Sequence, residues 1–129
     1  MTLTSSDPRD LGLLDAEWTD VCRLDALIPE RGVACLVEGE QVALFRLAPL
    51  DEGGSSAAVL AVDHVDPFHG VGVLARGLVG SVGERDVVIS PLHKQRFDLR
   101  TGECLDAPDV SVRTWEVAVA DGTVRVRPR

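Results

Sequence analysis

Two short segments hold all three histidines beside other polar side chains: 63–70, with His64, Asp66 and His69, and 90–96, with Ser90, His93, Lys94 and Gln95. Imidazole and carboxylate groups are ordinary ligands for zinc and related ions, so a metal site is the first chemistry to weigh. Such a site needs three or four donors in defined geometry, and neither segment contains a cysteine. The three histidines are therefore read as surface residues, and Asp66 with His64 or His69 as no more than an adventitious zinc binder. Ser90, His93 and Asp66 are also the residue types of a hydrolytic triad. The strand-to-helix elbow that presents a nucleophilic serine is missing around Ser90, and that reading is set aside. Asp66 and Ser90 suit turn capping better, since their oxygens bond readily to nearby backbone amides. Cys22, Cys35 and Cys104 form no C-x-x-C pair and lie in apolar surroundings, as expected of buried free thiols. Gly70, Gly72, Gly77, Gly80 and Gly83 do not follow the strand, turn and helix order of a phosphate cradle, and are read as turn residues. No residue is assigned a catalytic, cofactor-binding or metal-binding role.

The elements that carry these segments read as strands. Short β-branched runs alternate with glycine, proline and aspartate, and almost nothing repeats at helical spacing. Gly32–Val37 and Gln41–Arg46 flank Glu38-Gly39-Glu40 and should pair as an antiparallel hairpin. The alternating run from Val112 to Val119 meets Thr123–Arg127 across Asp121-Gly122, a strong hairpin signal. Val59–Val62 and Val87–Ile89 are short enough to be strands buried on both faces, and each leads into one of the two reactive segments. A brief helical turn at Leu24–Leu27 is halted by Pro29. Trp18 and Trp115 are expected in the core, and Arg125, Arg127 and Arg129 on a solvated strand face.

The framing residues of the two loops resemble those of a Rieske domain, in which C-x-H and C-x-x-H loops hold a [2Fe-2S] cluster, two thiolates on one iron and two imidazoles on the other. Asp66-Pro67-Phe68-His69-Gly70 stands where C-P-H-x-G would, and Ser90-Pro91-Leu92-His93 where C-P-x-H would, followed by Phe97-Asp98 and Thr101-Gly102. Asp66 and Ser90 replace both cysteines, Phe68 replaces one histidine, and only His93 keeps a ligand type. Loss of both sulfurs removes the cluster chemistry rather than tuning it.

Together with Trp18, Val21-Cys22, Arg76-Gly77-Leu78-Val79-Gly80, Lys94-Gln95 and Thr101-Gly102-Glu103-Cys104-Leu105-Asp106, this pattern resembles the small subunit of assimilatory NAD(P)H nitrite reductase from Trp18 onward. His93 departs from that family's usual pattern. The resemblance implies an all-β, Rieske-like domain of antiparallel sheets with two former cluster-binding loops and no cofactor of its own. It further implies a large-subunit partner that carries siroheme, FAD, an iron-sulfur cluster and the NAD(P)H site, and that reduces nitrite to ammonium. Val65, Pro67, Phe68, His69, Leu92, His93, Lys94 and Gln95 are then the expected docking residues. Phe68 either fills the vacated cluster volume or anchors the partner, and filling is preferred because an exposed loop-tip aromatic lowers solubility. Two other classes stay open: a Rieske-type ferredoxin with altered ligands, and a cluster-free protein-interaction module.

Length and charge agree with an accessory subunit. The 129 residues suffice for one domain, expected over 17–129 behind a flexible N-terminal segment at 1–16, with a mobile surface loop at 48–56. A net charge of -8 opposes binding to nucleic acid or anionic membranes, and no apolar run is long enough to span a bilayer. The absence of an export signal or disulfide framework points to the cytoplasm.

Overall fold

In a computed structural model, the described residues are 18–47 and 58–129, so the segments 1–16 and 48–56 discussed above lie outside them. Two tight turns organise the larger sheet. Glu38 and Gly39 take φ of 52° and 83°, and Asp121 and Gly122 take 53° and 78°, the double positive φ whose twist matches antiparallel strands. The first turn joins β2 (Gly32–Val37) to β3 (Glu40–Arg46), and the second joins β10 (Thr114–Ala120) to β11 (Thr123–Pro128). With β1 (Thr19–Arg23) and β4 (Val59–Asp63) they form a six-stranded antiparallel sheet in the order β1-β11-β10-β4-β3-β2. The outer strands β1 and β2 touch, so the sheet curls around its own core.

A second sheet contains β7 (Leu78–Val82), β8 (Arg85–Ile89) and β9 (Arg96–Asp98), and β5 (Val65–Asp66) pairs with β6 (Val71–Gly72) in a small hairpin. Helical structure among the described residues is limited to 3-10 turns at Leu24–Ala26 and Leu74–Arg76. The protein is thus all-β and antiparallel.

The continuous apolar run of β3 reflects burial on both faces. Val42 and Leu44 pack with Val37, Trp115, Val124 and Val126 inside the curled sheet. Ala43 and Phe45 face the other way, onto Val62, Leu74, Val88, Phe97 and Leu99 between the sheets. Such alternation around a shared strand fastens both cores to one element. Trp115 is buried, as expected, whereas Trp18 is only half-buried and lies under the Arg127 guanidinium, 4.4 Å from the ring centroid. Arg125 and Arg127 sit on the sheet surface and pair with Asp20 and Glu116. Of the glycines read as turn residues, Gly70 and Gly83 take positive φ, but Gly72 and Gly80 lie within strands β6 and β7 and Gly77 is extended.

Candidate functional site

The first loop starts where β4 ends. Asp63 accepts the indole N–H of Trp115 at 2.9 Å and the amide of Arg113 at 3.2 Å, which anchors the strand end. His64 then turns inward. Its amide donates to Gln41 O, its carbonyl accepts the amides of Val73 and Leu74, and its Nδ1 accepts the Ala75 amide at 3.1 Å. Burial, the charge of Arg76 and, in the opposite sense, a hydrogen bond with Gly72 leave its pKa lowered, so the ring is neutral with the proton on Nε2. The expectation of a surface histidine is corrected here. The hairpin β5-β6 folds back over His64 and makes it a buried peg at the base of the loop.

Asp66 is fully buried and closes the loop: Oδ1 accepts the Phe68 amide at 2.8 Å, and its carbonyl accepts the amides of His69 and Gly70 at 3.2 and 2.7 Å. The second loop follows β8. Ser90 donates its amide to Gln95 O, accepts the Lys94 amide at its carbonyl and, at Oγ, the Leu92 amide at 3.3 Å. Lys94 completes the turn with φ of 66°. Both residues therefore cap turns, as their chemistry suggests. They also meet each other, because the Ser90 hydroxyl donates to Asp66 Oδ2 at 2.6 Å.

Closer to solvent, the rings of His69 and His93 stack with centroids 4.5 Å apart. Phe68 leans on the buried Phe97 ring at 6.2 Å while remaining 38% exposed, so it both covers the core and faces solvent. Pro67, His69, Leu92, His93 and Lys94 are exposed as well, and Val65 and Gln95 are half-buried. The structure adds Val71, opposite Asp66 in the β5-β6 pairing and 48% exposed. Its place in a two-residue strand left no periodic signal in the sequence.

These side chains do not suit a [2Fe-2S] cluster. Asp66 and Ser90, which the resemblance sets at the thiolate positions, carry oxygen groups already engaged in hydrogen bonds, Phe68 offers no donor, and His93 is a lone imidazole. Among the described residues no group of three or more His, Cys, Asp or Glu is placed to hold a metal ion. Nor is there a triad: Ser90 is fully buried and bonds the Asp66 carboxylate rather than an imidazole. The Asp66–Ser90 bond escaped sequence reasoning, which treated each residue as the cap of its own turn.

Known proteins share this architecture. The family model of the Rieske-like [2Fe-2S] domain matches residues 17–127. The NADH nitrite reductase small subunit of Escherichia coli is 40% identical over 112 residues, 87% of this chain and 98% of that protein. A crystal structure of an NADH-dependent nitrite reductase small subunit from Mycobacterium tuberculosis superposes with a TM-score of 0.78 at 46% identity, covering 87% of this chain and 95% of that one. In Klebsiella oxytoca, a segment amounting to 11% of an NAD(P)H nitrite reductase large subunit is 38% identical over 109 residues, 84% of this chain. With the match running nearly end to end, this chain belongs to the Rieske-like domain family and, within it, to the nitrite reductase small subunits.

Proposed function

We propose that this chain is the accessory small subunit of a cytoplasmic, assimilatory NAD(P)H nitrite reductase, and that it works without a cluster of its own. The observation that carries this reading is its correspondence to the E. coli small subunit over 98% of that protein's length. Nitrite reduction to ammonium then takes place on a large subunit holding siroheme, FAD, an iron-sulfur cluster and the NAD(P)H site. The Klebsiella protein supports the pairing, since a domain like this one is there a segment of the large-subunit polypeptide itself.

The docking surface is the loop tip. Phe68 and Leu92 expose apolar area beside His69, His93 and Lys94, with Pro67 at the edge and Val65 and Gln95 half-buried beneath. Aromatic side chains such as Phe are enriched at the core of protein interfaces. The paired change Phe68→Ala and Lys94→Glu is expected to abolish co-purification with the large subunit while leaving the small subunit folded. Undiminished assembly removes the tip from consideration. The cluster-free reading is checked by an ultraviolet-visible spectrum with iron and acid-labile sulfide analysis after anaerobic purification. Colourless, iron-free protein supports it; stoichiometric iron and sulfide would make the chain an electron carrier.

A further inference from the structure

We infer that the Asp66–Ser90 hydrogen bond does the mechanical work that a shared iron does in cluster-bearing members of this fold: it is the cross-link between the two loops. The two residues occupy the thiolate positions, and two thiolates on one iron tie their loops together covalently. Among the described residues no backbone hydrogen bond joins the two loops. The amides of His69 and Gly70 return to Asp66 of their own loop, and those of Ser90 and Lys94 to Gln95 and Ser90 of theirs. Among the hydrogen bonds and ring contacts of the described residues, loop is joined to loop by the exposed His69–His93 stack and the buried Asp66–Ser90 bond.

The buried bond is the stronger of the two. It runs from a hydroxyl to a carboxylate at 2.6 Å, and both residues are 0% exposed. A short bond in a site closed to water gains most from the low local dielectric. Without Ser90, Oδ2 would keep no donor and no access to solvent, the situation that makes a buried polar group costly.

Each member also holds a second bond, and together they form one line: Phe68 amide to Asp66, Ser90 hydroxyl to Asp66, Leu92 amide to Ser90. The two amides at its ends belong to Phe68 and Leu92, the exposed apolar residues of the tip. The clamp therefore sets the position of each relative to the other with no metal involved. Its existence stands on the geometry alone, while its use in presenting a docking surface rests on the function proposed above.

A double-mutant cycle on the full-length subunit tests the clamp. Ser90→Ala and Asp66→Ala are each expected to lower the folding equilibrium constant about tenfold or more, and the double variant about tenfold less than the product of the two losses, as for residues in one network. Multiplicative losses, with coupling within about twofold, would mean two independent turn caps and overturn the inference. Native-state hydrogen exchange gives a second readout should Asp66→Ala fail to fold. In Ser90→Ala, the amide of Phe68, in the other loop, should exchange at least about tenfold faster; acceleration confined to the second loop would overturn the clamp. Affinity of Ser90→Ala for the large subunit separates the two layers. A coupled cycle with weakened binding supports both, whereas a coupled cycle with unchanged binding keeps the clamp and removes its role in docking.

Discussion

His69 and His93 stack their imidazoles across the two loops, with ring centroids 4.5 Å apart and planes 17° from parallel. The separation in sequence, 93 − 69 = 24, equals that of the buried pair, 90 − 66 = 24, so the loops lie side by side in matched register. One pair faces solvent and the other does not, which assigns them different consequences.

Because the stack is exposed, replacing both histidines with alanine should cost no more than about 1 kcal/mol of stability. The same change removes two ring faces from the proposed docking surface and is expected to weaken large-subunit binding about tenfold. Thermal unfolding and a binding titration on one preparation check both numbers. A large stability loss with unchanged binding would reverse the assignment.

If the loops keep the Rieske frame that the resemblance implies, the triple variant Asp66→Cys, Phe68→His, Ser90→Cys, which retains His93, supplies two thiolates and two imidazoles at the ligand positions. Reconstitution with iron and sulfide should give a brown protein with about two irons per chain. If it stays colourless while folded, replacing the ligands is not sufficient, and the loops have drifted from cluster-binding geometry.

At the base of the second sheet, Asp98 accepts Arg85 Nε at 2.7 Å and the amides of Arg100 and Thr101 at 2.7 and 3.0 Å. Burial by itself would push this carboxyl up, but the Arg85 hydrogen bond, the two amides and the Arg85 charge together hold it below its ordinary value. A carboxylate with a lowered folded pKa stabilises the fold above its unfolded value, near pH 4, and that contribution is lost as pH falls through the folded value. Asp98→Asn is therefore expected to destabilise by about 1 to 3 kcal/mol at pH 7. The gap from the parent should narrow steadily below about pH 4. Chemical denaturation across pH measures it, and a gap constant down to pH 2 would refute the linkage.

Gly32 opens β2 where it crosses the Leu74–Arg76 turn, and a Cβ there would lie 2.2 Å from the Ala75 carbonyl oxygen and 2.7 Å from the Phe45 ring. Neither the backbone nor the core aromatic yields cheaply. Gly32→Ala should cost about 2 to 3 kcal/mol, the upper part of the overpacking range. A control at Gly83, whose added Cβ meets nothing within 4 Å, separates packing from backbone strain, since Gly83 has a φ of 61°. If Gly83→Ala proves the more damaging of the two, close approach is not what dictates glycine at position 32.

Local chemistry made much of this protein legible before its fold was known. Glu38-Gly39 and Asp121-Gly122 announce their hairpins because a double positive φ is a property of the turn itself. The apolar run of β3 and the missing sulfurs at positions 66 and 90 can likewise be read without knowing what lies opposite. By contrast, His64 gives no sign in the sequence of the peg it becomes, because its burial depends on the β5-β6 hairpin closing over it. Phe68 is similar, poised between filling and display until Phe97 of β9 meets its ring. The bond between Asp66 and Ser90 belongs wholly to tertiary structure. Each residue's capping role follows from its nearest amides, but their meeting requires two sheets to bring loops 24 residues apart into contact, and strand period and turn chemistry act only on neighbours in the chain.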